Sequence, residues 1–406
     1  MKLLKNLETN LKKNKKYLLA CSFGPDSMAL FHYLVINKFD FEIVHVNYHI
    51  LDQADDDEKG IKEEAKKYGI KVHVLSTHMP EGVNEESWAR DIRYNYFSEM
   101  GYKLGIFDVL VAHNKGDLIE TYLLQKERGT HLFYGLKEVN RYKEVNIIRP
   151  LLNYTKNELL DYCIENKIPF SIDPSNDDVK FRRNLFRKKL RNYSESELDN
   201  FLKEIEENNR VLQGFLEKCD KFIFKNEFKS DKIFFETISI KQFQILLIYF
   251  LKENNFFKEI SYNHAEDLLM KFRSNKNFVI PIDNYFDLYF EYGIIGIYKK
   301  PESYFYRLDE LPKSNFIIDK NNPLFNELKL DGTCYIAPAY LGETYTHKNM
   351  TMRINREFIS WKLPLHLRKV WPAIYNKENK IVYLPRYREK NYKKSNLLSF
   401  DIKNLL

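Results

Sequence analysis

The fold is decided near the N-terminus by a short apolar run, Lys16-Tyr-Leu-Leu-Ala-Cys21, and the polar loop after it, Ser22-Phe23-Gly24-Pro25-Asp26-Ser27. Helical periodicity then runs from Ser27 to Ile36. A loop of small residues between a strand and a helix N-terminus suits anions, because free backbone N–H groups and the helix dipole point at the ligand. The loop matches neither GxGxxG nor GxxxxGK[ST], which excludes the dinucleotide and Walker-type patterns. Taken alone, it predicts a phosphate site or an ordinary strand–turn–helix corner.

The first half of the chain alternates between strand and helix patterns. Apolar runs predict strands over 16–21, 41–46, 71–75 and 108–112, and periodic or charged runs predict helices over 27–36, 58–68, 85–104 and 118–126. Short strands separated by helices are typical of βαβ units and of a doubly wound, mostly parallel α/β sheet. In such sheets the ligand lies at the carboxyl ends of the strands.

The pattern changes after residue 192. Residues 194–225 and 241–272 predict helices, residues 278–298 predict aromatic strands, and the Pro/Asn/Asp-rich stretch over 301–323 predicts a linker. We therefore expect a catalytic α/β domain over 1–192, a mainly helical domain over 193–300 and a small, basic α+β domain over 301–406.

Composition excludes several classes of protein. The 406 residues are enough for a hydrophobic core, and the four cysteines form no CxxC pair and no Cys/His cluster at zinc spacing. A disulfide scaffold and a structural metal site are therefore not expected, and we assign no metal-ligating residues. The apolar runs are too short for a membrane span, and the N-terminus has no continuous apolar segment. We expect a cytoplasmic protein with no membrane partner.

Positive charge is concentrated in two places. The net charge is +7, yet residues 353–394 hold 12 Lys/Arg against 3 Asp/Glu, so this segment carries +9 and the rest of the chain −2. Between residues 180 and 191, seven of twelve residues are basic and none is acidic. Two basic patches on a nearly neutral body indicate a polyanionic partner.

Further motifs follow the loop in order along the chain. They are His45-Val-Asn-Tyr-His49, ESWARDIRY over 86–94, VAHNKGDLIET over 111–121, Arg149-Pro-Leu-Leu152, and Asp173-Pro-Ser-Asn176 followed by Arg183-Asn184 and Arg187. The loop is similar to the SGGxDS loop of the PP-loop ATP pyrophosphatases. The whole set, over about residues 15–190, resembles the tRNA(Ile)-lysidine synthases, and a weaker likeness recurs over 358–372.

The resemblance implies an ATP-dependent ligase for RNA modification. Its substrates would be ATP with Mg²⁺, L-lysine and an isoleucine tRNA with the anticodon CAU. The wobble cytidine would be adenylated at its C2 oxygen, and the side-chain amine of lysine would then displace AMP to leave lysidine. No membrane is involved, and a homodimer is left open.

The resemblance also implies roles for single residues. ATP contacts are expected from Ser22, Phe23, Gly24, Pro25, Asp26, Ser27, His45 and Asn47. Catalytic roles are expected for Asp26, Arg90, His113, Asp117 and Glu120. Asp117 and Glu120 lie three residues apart on one helix face, where two carboxylates suit an ammonium group. The simpler alternative is a solvated acidic first turn favoured by the helix dipole.

The other candidates also have simpler alternatives. Asp26 either helps to place Mg²⁺ or lysine or caps the helix at Ser27. Arg90, with Arg93, either clamps phosphates or pairs with Glu86 on the helix surface, and His113 either contacts the nucleotide or packs at a strand end.

The sequence departs from the family pattern at three positions. Phe23 replaces the first glycine of the loop, Asn114 replaces a histidine, and Gly116 replaces an aspartate. A side chain at position 23 must point away from the phosphates. These departures support one alternative, a non-catalytic RNA-binding protein with a decayed loop. A PP-loop RNA sulfur transferase is another alternative, although such enzymes generally need a catalytic cysteine or an iron–sulfur cluster.

Overall fold

The computed structural model describes residues 11–50, 52–172, 186, 189–190, 193–311, 316–347, 350–387 and 397–402. The chain divides into two compact units, Met1–Gln213 and Gly214–Leu406. The predicted motif Asp173–Asn176 and nearly all of the basic run over 180–191 lie outside the described residues. Within the described ranges, no helix is both long enough and apolar enough to cross a membrane.

A six-stranded sheet forms the centre of the first unit. Its strands are β1 (Lys16–Ala20), β2 (Asp40–Asn47), β3 (Val72–Ser76), β4 (Asp108–Val111), β5 (Val139–Tyr142) and β6 (Val145–Ile148). Their order is β3-β2-β1-β4-β6-β5, and every neighbouring pair is parallel except β5 with β6. The strand order reverses between β1 and β4, and at such a switch point the carboxyl ends leave a crevice. The predicted fold class is confirmed.

Helices cover both faces of this sheet. They are α1 (Pro25–Ile36), α2 (Ala54–Lys67), α3 (Glu85–Leu104), α4 (Lys115–Arg128) and α5 (Lys156–Glu165), and α6 (Glu195–Asp220) follows them. One core combines α1, α2 and α5, with Leu30, Ile61 and Leu159 buried together. The opposite core belongs to α3, through residues such as Phe97. The two cores explain why the central strands are apolar on both sides.

The second unit contains antiparallel sheets and short helices. Its first part consists of β7 (Ile223–Phe224), β8 (Glu227–Lys229), α7 (Lys232–Thr237), α8 (Ile240–Glu253), α9 (Tyr262–Arg273), β9 (Phe278–Pro281), β10 (Phe286–Glu291) and β11 (Ile294–Lys299). The five strands form one sheet in the order β7-β8-β11-β10-β9, and its core is rich in phenylalanine. The helix expected over 241–272 is thus two helices, because Asn254 ends α8 and Ser261 caps α9.

The remainder of this unit has short strands throughout. They are β12 (Tyr306–Arg307), β13 (Phe316–Ile318), β14 (Tyr335–Pro338), β15 (Thr344–His347), β16 (Met350–Arg353), β17 (Pro372–Tyr375), β18 (Ile381–Tyr383) and β19 (Leu398–Phe400), with α10 (Pro323–Glu327), α11 (Ile354–Ser360) and α12 (Leu365–Arg368). The stretch expected to be a linker over 301–323 contains β12 and β13. A carboxylate of Glu291 in β10 accepts a hydrogen bond from the amide of Leu365.

Candidate active site

The first corner of the switch point joins β1 to α1. Gly24 is the N-cap residue of α1 and Pro25 its first residue, and within the described structure no side chain caps this helix. Proline suits this position because its missing N–H has no helical partner there. The Ser27 hydroxyl donates to the Gly24 carbonyl at 2.9 Å and lies 3.4 Å from the Ser22 hydroxyl. The corner therefore leaves the positive end of the α1 dipole to a ligand.

Phe23 occupies this corner in a conformation that favours glycine. Its φ angle is +64°, in the left-handed region that bulky residues rarely adopt. The ring packs beside Gly60 in α2, where an added Cβ would lie 2.4 Å from the ring atom Cζ. It also packs against the apolar core formed with α1 and α2. Helix α2 thus accommodates the ring that replaces a glycine.

His45, near the end of β2, lies directly behind the loop. Its Nδ1 atom is 2.8 Å from the carbonyl oxygen of Cys21, so Nδ1 carries the proton and donates. Burial lowers the pKa of His45, which keeps the ring neutral. Nε2 is then an acceptor, and this buried atom has no hydrogen-bond partner within the described structure. A ligand hydroxyl or amino group is the kind of donor it lacks.

Asn47, the last residue of β2, is almost completely buried. Its amide nitrogen donates to the carboxylates of Asp55 (2.8 Å) and Glu58 (2.9 Å), and its side-chain oxygen accepts from the amide of His49 at 3.0 Å. Both amide hydrogens are therefore used within the protein. The geometry makes Asn47 an anchor for α2, and direct ATP contact by Asn47 stays a prediction.

The second corner joins β4 to α4, and its own side chains cap the N-terminus of α4. Asn114 and Asp117 form a capping box: Asn114 Oδ1 accepts from the Asp117 amide at 3.1 Å, and Asp117 Oδ2 accepts from the Asn114 amide at 3.0 Å. A Cβ on Gly116 would lie 3.1 Å from Asn114 Oδ1, closer than most such contacts. Two departures from the family pattern, Asn114 and Gly116, therefore fit each other.

The two corners are joined by one hydrogen bond. Asn114 Nδ2 donates to Asp26 Oδ2 at 3.1 Å across the switch point. Since α1 begins at Pro25 with Gly24 as its N-cap, Asp26 does not cap the helix. Its carboxylate instead reaches from the first turn of α1 to the start of α4.

Glu120 lies one turn beyond Asp117 in α4 and is completely buried. Asp117 is partly exposed. Helix α4 is braced by α6, because the buried Lys115 forms an ion pair with Asp199 at 3.1 Å. The acidic first turn is therefore not simply solvated, as the alternative proposed, because Asp117 belongs to the capping box and Glu120 is buried.

His113 follows β4 and is oriented by Arg149. The Arg149 Nε atom donates to His113 Nδ1 at 3.1 Å, and its Nη1 atom donates to the Lys137 carbonyl at 2.7 Å. A guanidinium cannot accept a hydrogen bond, so Nδ1 of a neutral His113 must accept and Nε2 carries the proton. Arg149 is 3% exposed and, with Leu118, lines a cavity of about 450 Å³.

Arg90 lies on the exposed surface of α3. Its guanidinium stacks over the Tyr94 ring, 4.5 Å from the ring centroid. The Tyr48 hydroxyl donates to the Ala89 carbonyl at 2.9 Å, which ties this part of α3 to the residue after β2. Among the described residues, no hydrogen bond or ion pair joins Arg90 to the 22–27 loop. The contact of Arg90 with a nucleotide stays a prediction.

Two residues, Gly60 and Arg149, were not predicted from the sequence to belong to the site. Gly60 stands alone in a charged helical pattern, and an internal glycine costs a helix up to about 1 kcal/mol relative to alanine, so its presence was a usable signal. Arg149 was quoted within a motif, yet its contact with His113 spans 36 positions in sequence and no local pattern reveals it.

The chain is similar to known proteins over most of its length. The model of the PP-loop domain family matches residues 1–193. A tRNA(Ile)-lysidine synthase of Mycoplasma mycoides subsp. mycoides SC is 31% identical over 400 residues, covering 92% of this chain and 97% of the relative. That of Malacoplasma penetrans is 32% identical over 64% of this chain and 90% of the relative. Among solved structures, a U34-tRNA thiolase from Methanococcus maripaludis has a TM-score of 0.45 and 18% identity, covering 52% of this chain and 76% of that chain.

Proposed function

Since the chain belongs to the tRNA(Ile)-lysidine synthase family, whose members are ATP-using ligases, we propose that it attaches lysine to the wobble cytidine of a CAU-anticodon isoleucine tRNA. In the first step the cytidine C2 oxygen attacks the α-phosphorus of ATP and pyrophosphate leaves. In the second step the ε-amine of lysine attacks C2, AMP leaves with the oxygen, and the amine loses a proton.

The observation that carries this proposal is the hydrogen bond between Asp26 and Asn114. It brings an uncapped helix N-terminus, which suits phosphates, beside a helix turn that carries Asp117 and Glu120, which suit an ammonium group. The proposed reaction needs an anionic and a cationic substrate side by side.

ATP is proposed to bind at the β1–α1 corner. Its phosphates would lie at the N-terminus of α1, where the Ser22 hydroxyl can donate to them, while the Ser27 hydroxyl, which donates to the Gly24 carbonyl, holds the turn. The acceptor Nε2 of His45 suits a ribose hydroxyl or the adenine amino group. Nε2–H of His113 is the complementary donor on the other corner, and Arg149 fixes it in that tautomer.

Mg²⁺ fits this corner as a partner of the ATP phosphates. Magnesium is commonly held by one or two carboxylates together with substrate phosphates and water. We assign this role to the carboxylate of Asp26, which lies in the first turn of α1. When bound, the ion would neutralise phosphate charge.

Lysine is proposed to bind at Asp117 and Glu120. The free amine needed for the second step costs about 4–5 kcal/mol at pH 7, given a reference pKa near 10.4. A carboxylate at the ε-amine would help to remove this proton, whereas carboxylates at the α-ammonium would select the amino acid.

The tRNA is proposed to contact the basic residues of the second unit. Arg353, Arg356 and Lys369 are exposed there, whereas Trp371 and Tyr375 form part of the core. Exposed cations on a packed aromatic core supply sequence-independent attraction to phosphates.

The cysteines weigh against a sulfur transferase. All four are buried free thiols, and burial raises the pKa of Cys21 and raises the pKa of Cys163 and Cys219 to about 12. Thiolates, not thiols, are the nucleophiles in sulfur chemistry.

The test is incorporation of labelled lysine into unmodified isoleucine tRNA with the CAU anticodon. We expect incorporation that requires ATP and releases AMP and pyrophosphate. The double variant Ser22→Ala/Ser27→Ala should weaken ATP use about tenfold or more while tRNA binding stays near normal, because phosphate contacts are lost and both basic patches remain. Normal ATP use by this variant, or pyrophosphate release in the absence of tRNA, would contradict the proposal.

A further inference from the structure

We propose that Gly60 is a positioning residue for ATP: with Phe23 it forms a size-matched pair through which helix α2 sets the conformation of the 22–27 loop. This inference rests on the proposed ATP site. It adds a residue on a different helix, which touches no substrate and acts only through the Phe23 ring.

The first argument is the backbone of Phe23. A bulky residue at φ +64° is strained and persists only where its surroundings hold it. One backbone contact helps to hold it: the Phe23 carbonyl accepts from the Ser171 amide at 2.9 Å. This contact does not restrain the ring.

The second argument is the space beside Gly60. A Cβ built there would lie 2.4, 2.6 and 3.0 Å from the Phe23 atoms Cζ, Cε1 and Cε2. Distances below 3.0 Å do not occur for real Cβ atoms, so an alanine would force the ring to move. Rotation about χ1 and χ2 alone would take the ring away from the core it packs against, so we expect part of the displacement to reach the backbone at Gly24, the N-cap of α1.

The third argument is the rest of α2. The same helix holds the end of β2 through the contacts of Asp55 and Glu58 with Asn47. Gly60 lies two residues beyond Glu58 and faces Phe23. Helix α2 therefore contacts the site in two places. Its carboxylates bind Asn47 at the end of β2, and Gly60 packs against the Phe23 ring of the loop.

The experiment is a double-mutant cycle of Gly60→Ala and Phe23→Gly, with ATP affinity, kinetic constants and thermal unfolding measured for the full chain. Glycine suits φ +64° without strain. Gly60→Ala should weaken ATP binding about tenfold, since overpacking of this kind displaces the ring. It should raise the KM for ATP far more than the KM for lysine. In the Phe23→Gly background the same substitution should leave ATP binding within about twofold and raise the unfolding temperature, because alanine is the better helix former.

A matched control is Gly214→Ala. Gly214 is also a helical glycine, in α6, and an added Cβ would meet nothing within 4 Å. This substitution should raise the unfolding temperature and leave the KM for ATP unchanged.

The outcomes separate this inference from the proposed function. If Ser22→Ala/Ser27→Ala loses ATP use but Gly60→Ala binds ATP like the wild type, or Phe23→Gly fails to relieve the Gly60→Ala defect, the pair does not position the loop. If Ser22→Ala/Ser27→Ala retains ATP use, the ATP site itself is misassigned. Should Gly60→Ala not fold, the double variant must fold and bind ATP within about twofold of Phe23→Gly, and loss of ATP binding there overturns the inference.

Discussion

The β1–α1 and β4–α4 corners have the same place in the sheet and opposite designs. Both follow a central parallel strand at the switch point, and both begin a helix. No described side chain caps the N-terminus of α1, and the ring of its loop residue Phe23 packs beside Gly60 of α2. The α4 N-terminus is closed by the Asn114–Asp117 capping box.

The two corners therefore suit ligands of opposite charge. An uncapped helix N-terminus attracts an anion, whereas a capping box has already satisfied its backbone amides with an oxygen of its own. We therefore expect the second corner to contribute carboxylates and the first corner to bind the phosphates. Each of the three departures from the family pattern has a structural partner: Phe23 has Gly60, and Asn114 and Gly116 have each other. A decayed site would not require such matching.

The largest expected effect comes from removing the charges of the second corner. Asp117→Asn with Glu120→Gln keeps the side-chain shapes and removes two negative charges. Each lost charge-assisted contact should reduce lysine use roughly 10- to 150-fold, equivalent to about 1.5–3 kcal/mol. Adenylation needs ATP and RNA only, so the variant should accumulate AMP-labelled tRNA from α-labelled ATP.

The control for this prediction is Glu127→Gln, an exposed position on the same helix. It should leave lysine use unchanged. Thermal unfolding should be compared as well, because Glu120 is buried and Asp117 belongs to the capping box. Loss of adenylation with unaltered lysine affinity would show that these carboxylates serve ATP or Mg²⁺, and the assignment of the two corners would be reversed.

A smaller effect is expected from breaking the bond between the corners. Asn114→Ala removes the cap of α4 and the contact with Asp26, and should lower the free energy of unfolding by about 1 kcal/mol. Because Asp26 loses its partner, both ATP and lysine use should fall several-fold.

Asn84→Ala is the matched control, because Asn84 caps α3 through the Ser87 amide at 3.0 Å and makes no described contact with either corner. It should cost similar stability and leave both substrates unaffected. Equal kinetic behaviour of the two variants would reduce the Asp26–Asn114 bond to a structural role.

The sequence predicted the fold wherever local signals and the long-range structure agree. Helix α3 was predicted with its observed bounds, because Asn84 caps its start and Gly105, at φ +68°, ends it. Helix α4 begins three residues earlier than predicted, since Asn114 was interpreted as a replaced histidine and not as a cap. The hairpin β5–β6 was missed because its strands are four residues long and partly polar.

The candidate site was predicted residue by residue but not in its connections. The motifs named Asp26, Phe23 and His113, while their partners Asn114, Gly60 and Arg149 lie 36 to 88 positions away along the chain. Packing of a ring on a glycine, or the orientation of an imidazole by a buried guanidinium, depends on tertiary structure. No periodicity in one sequence encodes such pairs.

The smallest effect that we expect is a pH dependence of stability that comes from His45, behind the first corner. Burial lowers the pKa of His45 below its ordinary value of 6.5, so the unfolded chain binds a proton that the folded chain does not. The stability contributed by neutral His45 is therefore present above pH 6.5 and is lost as the pH falls below it. The loss is limited to about 1.4 kcal/mol per pH unit for one proton. Chemical unfolding measured between about pH 5 and 7 should show this slope, and His45→Gln should reduce it.

ATP affinity distinguishes His45 from an ordinary buried histidine. Protonation of Nε2 removes the acceptor that faces the proposed ligand, so acid should weaken ATP binding more in the wild type than in His45→Gln. His32 is the control: burial also lowers its pKa, and its Nδ1 lies 2.9 Å from the Tyr162 hydroxyl, away from the loop. His32→Gln should reduce the stability slope but leave the pH dependence of ATP binding unchanged. If both variants alter ATP binding equally, His45 supports the strand end without contacting the nucleotide.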